Sequence, residues 1–564
     1  MPGQTMMRLY RRSSRKTMGL VPLPSWRRLV LGMASVAMVA VATGCASSAS
    51  SNVSGSTPKY GGTFTMAYQG DVPTLDPAGS PGYESVQAMY GLYNTLVTYA
   101  PTSYKLVPSL ATSWTVTNGG KVYTFHLRPH VRFSNGDPFT AQDVVFNLTR
   151  QINPKSASYA QSYYLDIAGA KTFAAGHAST VSGLQALSST TLRITLTQPE
   201  GYFLNILAMP TSDIADPTVV QKYGTAYSDH AVGTGPYQLS QWVHNVVLVE
   251  TLNPHYWGKK PYFSAVKFIL GPSPQTQFLM FRRGEIDAMG PVPSSDMPTI
   301  QSNPALKKDL LVLADTGAID FYFMNVNYGP FKNVLVRRAL NLAVNRQRLV
   351  ALDAGQAVPA NQYLPPGYPG SQTNLPSIPY DPTQAKALLQ QAGYKPGQLS
   401  LTLTVNNDPA VVQQAQAVMA NFQAIGVHVH LVTMSLSAYI TALSGNQVKF
   451  GIIQWGIDYP DPSDIFDSLL LGAADGTGNF AWWNNSTFNN LVNQADVMSP
   501  ALDQQRYKLY DQAQAIALQQ QPWIPLIFPA STELVSPSLH PAPVGTNKYL
   551  YLGQLGVEEN LLWK

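Results

Sequence analysis

Cysteine is almost absent. One thiol, Cys45, stands in 564 residues, which excludes any disulfide within the chain. Stability is left to a core that a 45% apolar composition can readily fill, and the length suggests two to four domains. Charge is scarce too, at 12% of residues against about a quarter in an average soluble domain; acidic surroundings, in which carboxylates are protonated, are one cause that fits. The sequence contains no GxSxG elbow, no HExxH and no P-loop, so a hydrolase has no motif to stand on and no enzyme activity or cofactor is expected. Histidines are few, and one pair, His428 and His430, shares a strand face without a third ligand nearby.

The apolar run Leu29 to Val41 is too short for a comfortable transmembrane helix, which wants about 20 residues. Every charged residue before it is basic, from Arg8 to Arg28, so residues 1–44 read as a basic n-region and an apolar h-region of an export signal. Ala42-Thr43-Gly44-Cys45 resembles the lipobox of bacterial lipoproteins, with Ala42 where leucine is usual, and implies that Cys45 becomes a lipidated N-terminus. Residues 45–57, rich in serine, then form a flexible tether. The chain before Cys45 holds seven basic and no acidic residues, so the mature protein carries 29 basic against 31 acidic residues, a net charge of about −2. That balance, with no basic cluster interleaved with aromatics, argues against a nucleic-acid partner.

Beyond Lys59 strands and helices follow one another. "KVYTFHLR" alternates Tyr123, Phe125 and Leu127 with polar residues, and "TLRITLT" does the same, predicting half-buried strands. Thr140 with Asp143 predicts a capping box for a helix, Asp381-Pro382 opens another that Gly393 closes, and a third spans Ala410 to Ile425 before Gly426 and the strand "VHVHLV". The alternation predicts α/β sheet domains.

Nine blocks in order, among them "GGTFTMAYQGDVPTLDP", "YTFHLRPHVRFSNGDPFTAQDVVFNL", "GTGPYQL", "FRRGEIDAM", "PFKNVLVRRALNLAVNR" and "WGIDYPDP", resemble the extracellular solute-binding proteins of family 5, which include dipeptide- and oligopeptide-binding members. The resemblance implies a two-lobed, periplasmic-binding-protein-like (type II) α/β fold with a hinge and a third, inserted domain. Domain I would comprise 58–96, 213–316 and 535–564, domain II 97–212 and domain III 317–534. It further implies an exported, lipid-anchored, monomeric protein at the outer face of the cell membrane or in the periplasmic space that closes on a peptide or other small solute and delivers it to ABC transporter permease subunits. A nickel or other metal complex and an oligosaccharide are the alternative cargoes.

In "WGIDYPDPSDIF", Asp461 before Pro462 reads as a helix N-cap. Asp458 matches the family position whose carboxylate pairs with the α-ammonium of a bound peptide, although a turn aspartate satisfied by nearby backbone would look the same. Trp455 and the Trp482-Trp483 pair are candidates for cleft walls or for core filling. Gly235, in "GTGP", either brings backbone close to the ligand or makes a tight turn, and Glu84 is a candidate polar contact or a helix-surface residue. Some oligopeptide-binding relatives carry an arginine for the ligand's charged end three residues before the tryptophan; here that position is Ile452, which opens space for a neutral or hydrophobic group.

Overall fold

The computed structural model describes residues 59–79, 82–100, 103–313 and 317–539. The export signal, Cys45, the tether as far as residue 57 and the segment 540–564 assigned to domain I lie outside them. Strands Val122–Leu127 and Thr191–Thr195 pair antiparallel, with Tyr123 opposite Ile194 and Phe125 opposite Leu192. All four side chains are buried, as the alternation requires. Ala111–Thr117 and Leu184–Ser188 complete a four-stranded sheet. Helix Ala141–Ile152 packs on it, opened by the reciprocal bonds of Thr140 and Asp143.

A second sheet grows from a β-α-β unit. Strand Leu399–Asn406 leads into helix Pro409–Ala424, and Val427–Met434 returns parallel, Leu399 opposite Val427. Gly426, at φ +82°, reverses the chain between helix and strand; a β-carbon there would stand 3.0 Å from Cα of Pro396, so only glycine fits. The six strands run in the order Ala357–Pro359, Trp523–Pro529, Ala318–Met324, Phe450–Gly456, Leu399–Asn406, Val427–Met434. The largest apolar cluster of the described residues surrounds this sheet.

A seven-stranded sheet forms the other lobe, in the order Leu310–Leu313, Ser531–Val535, Ala288–Met289, Thr63–Tyr68, Ala265–Leu270, Val247–Leu252, Tyr237–Val243. The four-stranded sheet is inserted between Thr63–Tyr68 and Tyr237–Val243. Among the described residues the chain leaves the seven-stranded sheet after Leu313, enters the six-stranded sheet at Ala318, and returns between Pro529 and Ser531. Only Ala530 separates the last two strands, and Ser531–Val535 already belongs to the seven-stranded sheet, ahead of residue 535 where the resemblance puts the return to domain I. Two close crossings are what a hinge needs, since few backbone angles must change to swing one lobe on the other.

Candidate functional site

Strand Phe450–Gly456 ends in the loop that begins helix Pro462–Leu469, and this loop presents three aspartates with three different surroundings. Asp461 caps the helix, accepting from the Ser463 N–H at 3.1 Å and its hydroxyl at 2.9 Å. Its carboxylate is also gripped by the fork of Arg506, Nη1 to Oδ2 at 3.1 Å and Nη2 to Oδ1 at 3.0 Å. Both side chains are fully buried. Burial opposes the Arg506 charge, and Asp461 more than offsets that, holding the guanidinium firmly protonated.

Asp464, in the first turn of the helix, is also fully buried. It accepts from Nε1 of Trp455 at 3.0 Å and from the backbone N–H of Asp458. Burial, and after it the charge of Asp458, pushes its carboxyl well above the usual range. Trp455 is thereby fixed in orientation by a polar anchor at its own lobe.

Asp458 is half-buried at the seam with the inserted domain, where Tyr163 donates its hydroxyl to Oδ2 at 2.6 Å. The Tyr163 ring meets Tyr459 edge-on, and Tyr459 stacks on Tyr202 at 5.6 Å. Tyr459, borne by the six-stranded lobe, is counted in the apolar cluster of the inserted domain. The Asp458 carboxylate therefore makes a contact across domains. Tyr163 and Tyr202 carry no signal in the sequence, because their partners lie more than 250 residues away.

The other candidates are placed differently. Gly235 gives its N–H to the Leu92 carbonyl at 2.9 Å and its own carbonyl accepts from Asn253 at 2.8 Å. A β-carbon there would stand 2.4 Å from the Gly91 carbonyl oxygen. That geometry shows Gly235 packed closely against the end of helix Tyr83–Leu92. Trp483 is core, edge-on to Phe488 at 4.9 Å. Trp482 is half-buried at φ +52°, its ring over Gly476. Glu84 lies in the first turn of helix Tyr83–Leu92 beside Gly70 and Gly82, with burial raising its pKa. The structure thus brings Asp458 and Trp455 together through Asp464, and places Glu84, Gly235 and Trp482 in other surroundings. Ile452 is buried in the core of its lobe. His428 and His430 are exposed on the edge strand Val427–Met434, and among the described residues no group of three His, Cys, Asp or Glu side chains is placed to hold a metal.

Behind Trp455 a small cavity opens where the two large sheets meet, reaching from Pro291 on one lobe to Asp408 on the other and bordered at the hinge by Ala530.

Residues 105–477 match the family model of the bacterial extracellular solute-binding proteins, family 5. The probable deoxycholate-binding periplasmic protein YgiS of Escherichia coli is 30% identical over 509 residues, covering 88% of this chain and 93% of the relative. The glutathione-binding protein GsiB of Shigella flexneri is 30% identical over 442 residues, covering 75% and 80%. Among solved structures, the periplasmic binding protein DppA of Helicobacter pylori in complex with the peptide STSA superposes with a TM-score of 0.71 at 26% identity, covering 90% of this chain and 98% of that one. These are binding proteins rather than enzymes, and the two lobes, the hinge and the inserted sheet are the type II periplasmic-binding fold. The match spans well over half the chain, which therefore belongs to family 5 of the bacterial extracellular solute-binding proteins.

Proposed function

We propose that this solute-binding protein captures a short peptide between its closing lobes, with the ligand's α-ammonium paired to Asp458. It then delivers the peptide to ABC transporter permease subunits, held at the outer face of the membrane by a lipid on Cys45. The observation that carries the ammonium reading is the charge around Asp458. Its carboxylate sits at a closing seam beside buried Asp464, and the charges acting on Asp464 are those of Asp458 and Asp461, all negative. The Tyr163 hydroxyl is a neutral donor; an ammonium in its place would donate hydrogen bonds and also cancel charge. Relatives named for di- and tripeptides and for glutathione, and a neighbour solved with a peptide, support the class of solute.

Asp458→Ala is expected to weaken binding of free-amine peptides by roughly 2 to 5 kcal/mol, about 30- to 4000-fold, the range for removing one partner of a buried charge pair. Calorimetric titration beside thermal unfolding reads it. Normal affinity together with a lowered melting temperature would show Asp458 to be structural. For the anchor, Cys45→Ala should move the mature protein from the membrane to the soluble fraction. Retention on the membrane after a high-salt wash would rule the lipid out.

A further inference from the structure

The cavity behind Trp455 has a chemistry of its own. Asp320, Asp353 and Asp408 line it, together with Gln414 and Gln454, and among the described residues no Lys, Arg or His does. Asp320 and Asp353 are each only 4% exposed. Gln454 uses its amide nitrogen on Asp320, at 3.2 Å, and its Oε1 is buried without a donor. Gln414, in the second turn of helix Pro409–Ala424 and 7% exposed, likewise has an Oε1 with no hydrogen-bond donor. A buried acceptor without a donor is costly. Two of them in one carboxylate-lined cavity call for a donor supplied from outside the chain.

An anion is excluded at the same place. The first turn of helix Pro409–Ala424 would ordinarily offer free amides to a carboxylate. Here Pro409 has none, Ala410 and Val411 donate to Oδ1 of Asp408 at 2.8 and 3.3 Å, and Val412 donates to the Asp408 carbonyl at 2.9 Å. The cavity has room for an ammonium-sized group, and Trp455 forms part of its wall while being tied through Asp464 to Asp458. Trp455 thus links the wall of the cavity, through Asp464, to the loop that carries Asp458.

We infer that this cavity receives a second cationic group of the ligand, so that the solute is a peptide carrying a basic side chain. The inference rests on the peptide reading of Asp458 and deepens it. The site sits between the lobes at the hinge, where a bound cation would contact both sides of the closing joint.

The test uses the mature protein and a set of alanine tetrapeptides in which each position in turn carries lysine or its uncharged isostere norleucine. At one position lysine should bind about tenfold or more tightly than norleucine. In Asp320→Asn and in Asp353→Asn that ratio should fall toward one, and because it compares two ligands on the same sample, any loss of folded protein cancels. A ratio near one at every position in the wild type, or one undiminished in both variants, overturns the inference. N-acetylated versions separate the two readings: if acetylation leaves affinity unchanged while the lysine preference and its loss in the variants persist, the Asp458 reading falls and the cavity stands. If no peptide of the set binds, both fall.

Discussion

Arg506 and Asp461 illustrate how a single contact can serve two elements. The carboxylate caps helix Pro462–Leu469 while the guanidinium, from helix Asp503–Gln520, also donates through Nε to the Ala495 carbonyl. Gly201 of the inserted domain leaves the space that Arg506 fills, since a β-carbon there would stand 2.2 Å from Nε. Arg506→Met would strand a fully buried carboxylate, and a broken buried pair costs about 3 to 5 kcal/mol. The urea transition of the variant should move to clearly lower concentration, whereas Asp461→Asn with Arg506→Met together should recover part of the loss. A single variant within about 1 kcal/mol of the wild type would mean that the pair contributes little beyond the cap.

At the scale of elements, what the sequence disclosed were features with local causes. The capping box at Thr140, the Asp381-Pro382 start, the Gly426 stop and the alternating strands around Tyr123 and Leu192 all stand as read, because each depends on residues within a few positions of one another. The Asp461 cap was legible for the same reason, and its Arg506 partner, 45 residues on, was not. Asp464 gave no local sign of its burial against Trp455, which depends on tertiary packing. "GTGP" suggested either a ligand loop or a turn, and the close approach of Gly91 and Leu92 to Gly235 lay beyond any local signal. The acid-lined cavity gathers residues from six separated stretches, so no spacing rule could have found it. Trp523–Pro529 joins the six-stranded sheet and Ser531–Val535, one residue later, the seven-stranded sheet, a choice made by long-range pairing.

For the whole molecule, the seam between the inserted domain and the six-stranded lobe couples shape to protons. Glu200 from the inserted domain is buried there, its Oε2 without a hydrogen-bond partner, and next to it the Gly201 N–H donates to the Asp496 carbonyl at 2.8 Å. On the other side Asp467 and Asp496 hydrogen bond to each other, Tyr202 reaches Asp467 at 3.4 Å and Tyr510 reaches Asp496 at 2.5 Å. Burial pushes Glu200 up to about 8, with Asp166 and Asp496 adding to the shift and Lys171 and Tyr202 opposing it. Burial likewise raises Asp467 and Asp496, each further raised by Asp461, while Arg506 and Tyr510 oppose the rise at Asp496. A carboxyl whose pKa is higher folded than unfolded holds its proton in the native state after the unfolded chain has released it, so its contribution is full below the ordinary value of 4.5 and is lost as pH rises toward about 8. The melting temperature should accordingly be higher at pH 5 than at pH 8, a trend suited to the acidic surroundings that the low charge content fits. Glu200→Gln, which keeps the shape and removes the titration, should flatten the slope and leave the residue due to Asp467 and Asp496. Because these acids are buried where the domains meet, the joint itself should loosen with rising pH, read as faster amide exchange of segment 199–206 at pH 8 than at pH 5 after correction for the intrinsic rate. A melting temperature that is level or rises from pH 5 to 8, with Glu200→Gln indistinguishable from the wild type, would show that the three acids are charged in the folded protein and that the seam closes without them.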